Sequence, residues 1–199
     1  MSTSEPPTIS EAISGDHKSL DEYADRIRSS TSVADKTKWR NQLTWALARH
    51  AISEELTMYP AMEKHLGEEG LQLTNTDRKQ HQAVKEDLYK LQSLSPSSSE
   101  FSPLLDRLMT DLHEHIKHES EEDMPRLEGK LSREESQALA RSFERTKMIT
   151  PTRSHPSAPN RPYFEDFAAM LAAPIDRFKD LLTTFPEKEE LPKKHQSLL

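Results

Sequence analysis

The strongest constraint on this chain of 199 residues is a motif, His-x3-Glu-x5-Pro, that occurs twice. One copy is His50, Glu54 and Pro60, and the other is His115, Glu119 and Pro125. A further histidine precedes each copy: His17 lies 33 residues before His50, and His81 lies 34 residues before His115. Four antiparallel helices joined by short turns would bring these histidines and glutamates to one level of a shared core. The doubled motif therefore predicts both a fold and a site.

The residue types in the motif indicate a metal site. Residues four apart share one face of a helix, so His50 and Glu54 point the same way, as do His115 and Glu119. Burying four imidazoles and two carboxylates is costly unless their charge is compensated, and divalent cations would compensate it. We interpret the six residues as a site for two ions. A single ion, or a polar core without metal, is the alternative interpretation.

Composition limits the metal and the partners. The chain has no cysteine, which excludes disulfides and thiolate ligation, so imidazole and carboxylate donors leave iron, manganese or zinc. The net charge is −7, with lysines and arginines scattered among carboxylates, so neither nucleic acid nor a membrane is an expected partner. No apolar segment resembles a signal peptide or a membrane span, and a cytoplasmic location is the expectation.

Apolar periodicity predicts an all-α fold. Stripes with helical spacing and intervening Ser, Pro and Gly turns predict helices over residues 9–29, 36–65, 74–94 and 102–127. Short connections favour an antiparallel up-down-up-down four-helix bundle with extra C-terminal helices. Ser102 is the predicted N-cap of the fourth helix, with Pro103 in its first turn. Pro60 and Pro125 are expected to kink their helices just beyond the donor pairs, because proline lacks an amide proton.

The pattern also predicts how the chain is divided. The expected regions are a disordered N-terminus (1–8), the bundle (9–130), a helical C-terminal extension packed on it (131–185) and a flexible tail (186–199). Within the extension, Ser132 and Glu135 form a capping box that opens a helix to about Lys147. The proline-rich segment 151–162 is expected to be extended, with two further helices over residues 163–172 and 174–185.

The motifs resemble those of the hemerythrin-like, or HHE cation-binding, family. The resemblance is carried by Asp16-His17, His50-Ala-Ile-Ser-Glu54-Glu55 leading to Tyr59-Pro60, His81, and His115-Ile-Lys-His-Glu119 leading to Met124-Pro125. It covers about residues 9–129. The segment after Pro151 is similar, more weakly, to a C-terminal extension of fungal members.

The resemblance implies a non-heme di-iron centre bridged by two carboxylates and an oxo or hydroxo group. The implied iron ligands are His17, His50, Glu54, His81, His115 and Glu119. Zinc and manganese are the alternative metals. Oxygen-carrying hemerythrins have His-x3-His in the third helix, whereas this chain has Lys85 four residues after His81. A lysine at the metal would argue against reversible oxygen transport.

Three residues are candidates for the lining of the site: Lys85, Tyr59 and His118. Lys85 is expected to face the metal, with a salt bridge to Glu54 or Glu119, or an outward course along the helix, as alternatives. For His118 the favoured interpretation is a solvated histidine among glutamates, and a place at the rim of the site is the alternative.

Three functions are compatible with these residues. The first is a non-heme iron protein that binds O2, NO or peroxide, or buffers iron, in redox or stress handling. The second is a di-iron oxidase or oxygenase that acts on a small organic substrate. The third is an interaction module whose metal is structural. A monomer or weak homodimer is expected, and no nucleotide-binding or hydrolase motif is present.

Overall fold

The computed structural model describes residues 5–150, 152–154, 180 and 183–191. The α-helices of this part of the chain are α1 (Ile9–Ser29), α2 (Val33–Ser53), α3 (Tyr59–Leu66), α4 (Glu68–Ser93), α5 (Phe101–His118), α6 (Met124–Glu128) and α7 (Arg133–Lys147). Two π-helical segments, Glu54–Met58 and Glu119–Asp123, join α2 to α3 and α5 to α6. A 3-10 helix, Lys188–Glu190, lies near the C-terminus. No β-strand occurs in the described ranges.

The helices form an antiparallel four-helix bundle, as the sequence predicts. The four members are α1, α2 continued by α3, α4, and α5 continued by α6. The helix α1 packs along α2, and α4 packs along α5 and α3. The additional helix α7 packs on α1, α2 and the first π-helical segment. No helix in the described part of the chain is both long and apolar enough to cross a membrane.

Helix starts follow their capping residues. Thr8 caps α1 and Ser132 caps α7, and each forms a reciprocal capping box with the glutamate three residues later. The predicted start of the fourth helix is wrong by one residue. The helix α5 begins at Phe101 with Glu100 as its N-cap, so Ser102 lies inside the helix. Phe101 is buried in the core, and this packing extends the helix beyond the capping signal.

The predicted kinks at the two prolines take the form of π-helical turns. In the first segment the Tyr59 amide donates to the Glu54 carbonyl five residues back, and in the second the Met124 amide donates to the Glu119 carbonyl. Pro60 and Pro125 follow immediately, in the first turns of α3 and α6. Proline offers no amide to an α-helical ladder, and the wider turn before it changes the register of that ladder. Each wide turn starts at a motif glutamate.

Two apolar clusters lie on either side of the predicted donors. One contains Leu20, Leu43, Leu47, Leu88 and Leu108, together with other side chains from all four bundle members. The other contains Ile9, Ile13, Met58, Tyr59, Met62, Leu127 and Phe143. Along α1, for example, His17 falls between Ile13 of one cluster and Leu20 of the other. The donors therefore occupy one layer of an otherwise apolar interior.

The turn between α3 and α4 requires glycine at two positions. Gly67 has φ 62°, which side chains with a Cβ rarely adopt. A Cβ on Gly70 would lie 2.2 Å from the Met62 carbonyl oxygen, because the backbones of α3 and α4 meet there. These glycines fix how the chain reverses just beyond the first donor pair.

The end of the described chain returns to the bundle. Leu191 is buried in the first apolar cluster, and Glu190 accepts a 2.5 Å hydrogen bond from the Lys38 ammonium. The expected disordered residues 1–4, most of the proline-rich segment and most of the two expected C-terminal helices lie outside the described residues. The domain boundaries drawn from the sequence therefore stay a prediction.

Candidate metal centre

The six motif residues meet in the bundle interior. Their side chains come from α1, α2, α4, α5 and the two π-helical segments, and their exposed fractions are His17 5%, His50 1%, Glu54 0%, His81 2%, His115 0% and Glu119 0%. The Nε2 atoms of His17 and His50 lie 3.1 Å apart, and those of His81 and His115 lie 3.0 Å apart. The four imidazoles thus form two pairs whose nitrogens converge.

Glu54 lies between the two imidazole pairs. Its Oε1 is 3.0 Å from His50 Nε2, and its Oε2 is 3.3 Å from His81 Nε2. His17, His50 and Glu54 form one group with ligand spacing, and Glu54, His81 and His115 form another. Glu119 contributes from the opposite side, with Oε2 3.3 Å from His17 Nε2. One carboxylate shared by two donor groups has the connectivity of a bridge between two ions.

Hydrogen bonds at the outer nitrogens orient three of the imidazoles. Nδ1 of His50 is 3.2 Å from an Asp16 carboxylate oxygen, and Nδ1 of His81 is 3.1 Å from Glu55. Nδ1 of His115 is 3.1 Å from the side-chain oxygen of Gln80. Since oxygen acceptors require N–H at Nδ1, the neutral rings present Nε2 lone pairs toward the centre. Carboxylate or amide support of this kind fixes the tautomer of metal-binding histidines.

Without an ion, the six groups shift their pKa values in opposite directions. Burial opposes charge on His50, but the carboxylates of Glu54 and Asp16 outweigh it and raise its pKa to about 9. Burial and the nearby His50 lower the pKa of His17 to about 3. Burial and the negative charge of Glu54 raise the pKa of Glu119 well above its ordinary value. Without metal, His50 and Glu119 therefore bind protons more readily than they would in water, and His17 binds them less readily. Such opposite shifts are expected where bound cations would otherwise balance the buried charges.

The carboxylate oxygens show that the donor set suits cations. Both oxygens of Glu54 and both of Glu119 are buried, and none has a partner with hydrogen-bond geometry among the described residues. Buried carboxylates without such partners are rare because the desolvation cost is not recovered. Imidazole Nε2 atoms of His50, His81 and His17 lie 3.0–3.3 Å from these oxygens. The arrangement fits metal ions held between nitrogen and oxygen donors.

Lysines neutralise the supporting carboxylates in the next layer. The Lys147 ammonium of α7 donates to both oxygens of Asp16, at 2.9 and 2.7 Å. The Lys85 ammonium donates to both oxygens of Glu55, each at 2.7 Å. Lys85 is buried, so it does not extend outward along the helix, and its partner is Glu55 instead of Glu54 or Glu119. Lys85 therefore acts on His81 through Glu55 and does not face the donor centre.

The other two predicted lining residues lie on one side of the site. The hydroxyl of the fully buried Tyr59 is 3.2 Å from both ring nitrogens of His81. His118 is half-buried, with Nδ1 3.2 Å from Asp123 and 3.4 Å from Asp77. The favoured interpretation of His118 as a solvated residue among glutamates does not describe this position. The α5 face that carries it turns toward α4, where Asp77 lies.

Sequence reasoning missed several supporting residues. Glu55 follows Glu54 directly, and Asp16 precedes His17, yet each supports a histidine of another helix. Asp77 lies four residues before His81, and the same-face rule applied backward along α4 would have found it. Lys147 lies 131 residues from its partner Asp16, and no local signal in the sequence relates the two.

The helical bundle and its buried donor groups define a class of protein, the cation-binding helical bundles. The model of the hemerythrin HHE cation binding domain matches residues 8–127. An uncharacterized hemerythrin-like protein of Schizosaccharomyces pombe is 49% identical over 178 residues, which span 89% of this chain and 88% of that protein. The chain belongs to the hemerythrin HHE family.

A more distant relative is similar over part of its length. A protein of a Nostoc species described as a DNA nickase is 23% identical over 139 residues, 70% of this chain but 39% of the nickase. No solved structure matches the chain significantly.

Proposed function

We propose that this protein holds two non-heme iron ions and binds a small oxidant or diatomic ligand, O2, NO or peroxide, or buffers iron, in redox or stress handling. The observation that carries the proposal is the position of Glu54, whose two oxygens lie 3.0 and 3.3 Å from histidines of different donor groups. A carboxylate shared by two donor groups is the arrangement expected of a bridge between two ions, and it supports two ions over a single ion or a polar core without metal. Membership of the cation-binding family supports the same reading.

The donor count leaves room for a ligand. Each ion would receive two imidazole nitrogens and an oxygen from each of Glu54 and Glu119. Iron bound by imidazole and carboxylate commonly has six positions, and positions without protein donors are where small molecules bind. When bound, iron would supply electron transfer to or from such a ligand. Manganese and zinc are compatible with the same donors, and zinc would supply no redox chemistry.

The surrounding residues hold this centre in place. Asp16, Glu55 and Gln80 keep three histidines in one tautomer. Against the effect of burial, hydrogen bonds to the histidines and the charges of the two lysines lower the pKa values of Asp16 and Glu55. The fully buried Tyr59 hydroxyl lies beside His81, and burial raises its pKa well above the ordinary value, with a further contribution from Glu54. Tyr59 therefore stays protonated, and its O–H is a donor to a group in the centre.

Metal content and visible spectra test the proposal. Full-length protein, stripped, reloaded with Fe²⁺ without oxygen and then desalted, should retain two slowly exchanging irons per chain by elemental analysis. Addition of NO, and separately of air, should then change its visible spectrum. Glu121→Gln is the matched control for Glu119→Gln, because Glu121 is an exposed carboxylate of the same π-helical segment. One iron per chain in the native protein, or equal iron in both variants, would overturn the assignment.

A cavity next to His50 favours a second candidate, an oxidase acting on a small organic molecule. The cavity has a volume of about 300 Å³ and is lined by Leu20, Tyr23, Trp45, Arg49, Arg145 and Lys147, among others, with Asp16 and His50 in its wall. Its apolar and aromatic surface with cationic groups at the edge would suit a small aromatic or aliphatic carboxylic acid.

Binding of such acids separates the two functions. The iron-loaded protein would be titrated with benzoate and with short fatty acids, and the visible spectrum of the centre recorded. A saturable spectral change that is weakened in Arg145→Met supports the oxidase, because the acid then sits against the centre through the cavity. An unchanged spectrum leaves the first function as the one that the site supports.

A further inference from the structure

A second cluster of possible metal donors lies outside the six motif residues. It consists of Asp77 on α4, His118 at the end of α5 and Asp123 at the end of the second π-helical segment. His118 Nδ1 is 3.2 Å from Asp123 Oδ2 and 3.4 Å from Asp77 Oδ1. One donor atom from each residue lies within 4.8 Å of the other two. This spacing would allow one ion to contact all three.

The cluster is placed by the same helices that carry the motif donors. Asp77 precedes His81 by four residues on α4, and Asp123 follows Glu119 by four residues in the π-helical segment. Side chains one turn apart on a helix are neighbours about 5–6 Å apart. The cluster is therefore the next layer of donors along the bundle axis, adjacent to the centre but built from other residues.

His118 Nδ1 lies within ion-pair distance of both aspartates, but neither contact has hydrogen-bond geometry. Asp77 and Asp123 are both 0% exposed, and all four of their carboxylate oxygens lack a hydrogen-bond partner among the described residues. His118 Nδ1, which is also buried, lacks one as well. Two buried carboxylates and an imidazole that converge without hydrogen-bond geometry favour a third species between them.

A proton is the simplest alternative to a metal ion in that position. Burial, followed by repulsion from Asp123, raises the pKa of Asp77 to about 8. A shared proton would neutralise one carboxylate, but it would satisfy only two of the four oxygens and would leave His118 Nδ1 with a 3.2 Å contact to Asp123 that lacks hydrogen-bond geometry. A cation contacts donors from all three residues at once, and it also explains why an imidazole lies beside the pair.

We propose that Asp77, His118 and Asp123 form a third, mononuclear site for a divalent cation such as Mn²⁺, Fe²⁺ or Zn²⁺. The donor set of two carboxylates and one imidazole has the borderline character that these ions prefer. Three protein donors are present among the residues that the structure describes, and water would complete the coordination.

The exposure of His118 makes this ion exchangeable. The side chain of His118 is 29% exposed, whereas the side chain of His17, the most exposed motif residue, is 7% exposed. An ion at the third site therefore has an imidazole ligand at the protein surface and exchanges with solvent faster than ions at the buried centre. The inference does not depend on iron, or on two ions, at that centre.

Counting bound Mn²⁺ tests the proposal. Full-length protein and the variant D77N/D123N would be stripped, dialysed against Mn²⁺ and analysed for manganese per chain. Both substitutions keep the side-chain shape. We expect one Mn²⁺ fewer per chain in the variant, whatever the total in the native protein, and no loss in E121Q, which removes an exposed carboxylate of the same segment. Equal counts in the native protein and D77N/D123N would overturn the third site.

Anomalous diffraction gives a measurement that needs no variant. Crystals of the native protein equilibrated with Mn²⁺ would be measured at the manganese absorption edge. A peak between Asp77 Oδ1, His118 Nδ1 and Asp123 Oδ2 supports the site, and its absence at full Mn²⁺ loading contradicts it. Peaks at the motif residues report on the proposed dinuclear centre separately, so the two proposals can fail independently.

Discussion

The first half of the bundle, α1 to α3, and the second half, α4 to α6, carry nearly the same motif but support it differently. In the first half, His50 is held by Asp16, whose charge is balanced by Lys147 on α7, a helix outside the bundle. In the second half, His115 is held by the neutral side chain of Gln80 within the bundle. The repeated motif therefore fixes the donors, while the residues that support its two histidines, His50 and His115, differ in charge.

The two halves also differ in the solvent exposure of the residues that support their histidines. The cavity beside His50 opens on the first half, where the Asp16 side chain is 15% exposed. The supporting pair around His81, Glu55 with Lys85, is almost fully buried. The cavity therefore supports the proposal that a small organic molecule would reach the centre from the first half.

The largest expected effect is the loss of metal and stability when Glu54 is replaced, and this loss should exceed that for Glu119. Glu54→Ala removes the shared carboxylate and should release both ions of the proposed dinuclear centre. It should also destabilise the metal-free protein by about 3–5 kcal/mol, because the pKa of Glu54 is lowered by His50 against the effect of burial, and the buried charge pair is broken. Elemental analysis and urea denaturation measure the two effects.

Glu119→Ala should also release metal, but it should cost the metal-free protein less, about 1–3 kcal/mol. Glu119 carries a proton in that state, because burial raises its pKa. Removal then breaks no ion pair. If the metal-free Glu119→Ala protein were less stable than Glu54→Ala, the negative charge would lie on Glu119 and the proton on Glu54.

The next effect compares the two supporting lysines. Lys85→Met leaves the Glu55 carboxylate, 2% exposed, with only His81 as partner, and should destabilise the protein by about 3 kcal/mol. Lys147→Met should cost about half as much, because solvent reaches Asp16. Urea denaturation of the metal-loaded proteins measures the difference, and both variants should keep their metal. Equal losses would mean that the two supporting layers are equally closed.

The convergence of the six motif residues was predictable because it depends on two features of the sequence, the i, i+4 spacing within a helix and the matched spacing between the halves. The i, i+4 rule sets His50 with Glu54 and His115 with Glu119 on one face, and the matched spacing brings the halves to one level. The antiparallel bundle follows from the same spacing and from the short turns. The π-helical form of the kinks was not predicted, because proline signals only that the α-helical ladder must change.

The supporting layer was less predictable because its contacts join distant elements. The partner of Lys85 depends on the rotation of α4 against the first π-helical segment, which apolar periodicity does not resolve. The i, i+4 rule places Lys85 near His81, but the ammonium reaches Glu55, a residue that a regular α-helix would turn away from the site. Replacing Lys85 by histidine is therefore not expected to add a ligand to either ion.

A smaller effect concerns the pH dependence of the metal-free protein. His50 has its pKa raised in the folded state, from 6.5 to about 9. A group of this kind stabilises the fold fully below the unfolded pKa, and the stabilisation is lost as pH rises through the folded pKa. The metal-free protein should therefore lose up to about 3 kcal/mol between pH 6.5 and 9, since each pKa unit corresponds to about 1.4 kcal/mol.

The metal-loaded protein should show the opposite trend over the same range. Its ligands bind in their deprotonated form, so metal affinity, and the stability linked to it, increases with pH. Urea denaturation at pH 6.5 and 9, with and without metal, provides the comparison. Parallel pH profiles for the two forms would mean that the histidines of the first half do not exchange protons for metal.

The smallest effect compares the turns that follow the two π-helical segments. After the first, Gly70 lies against the backbone of α3, and an added Cβ would be 2.2 Å from the Met62 carbonyl oxygen. Gly70→Ala should therefore separate α3 from α4 and destabilise the protein by about 2 kcal/mol.

After the second π-helical segment, a Cβ on Gly129 would meet the Pro125 carbonyl oxygen only at 3.2 Å, and Gly129 has φ −66°. Gly129→Ala should change stability by less than about 0.5 kcal/mol, because gained helix propensity offsets the tighter contact. Thermal unfolding of both variants measures the difference, and a larger loss for Gly129→Ala would show that the second turn, not the first, limits how closely the halves pack.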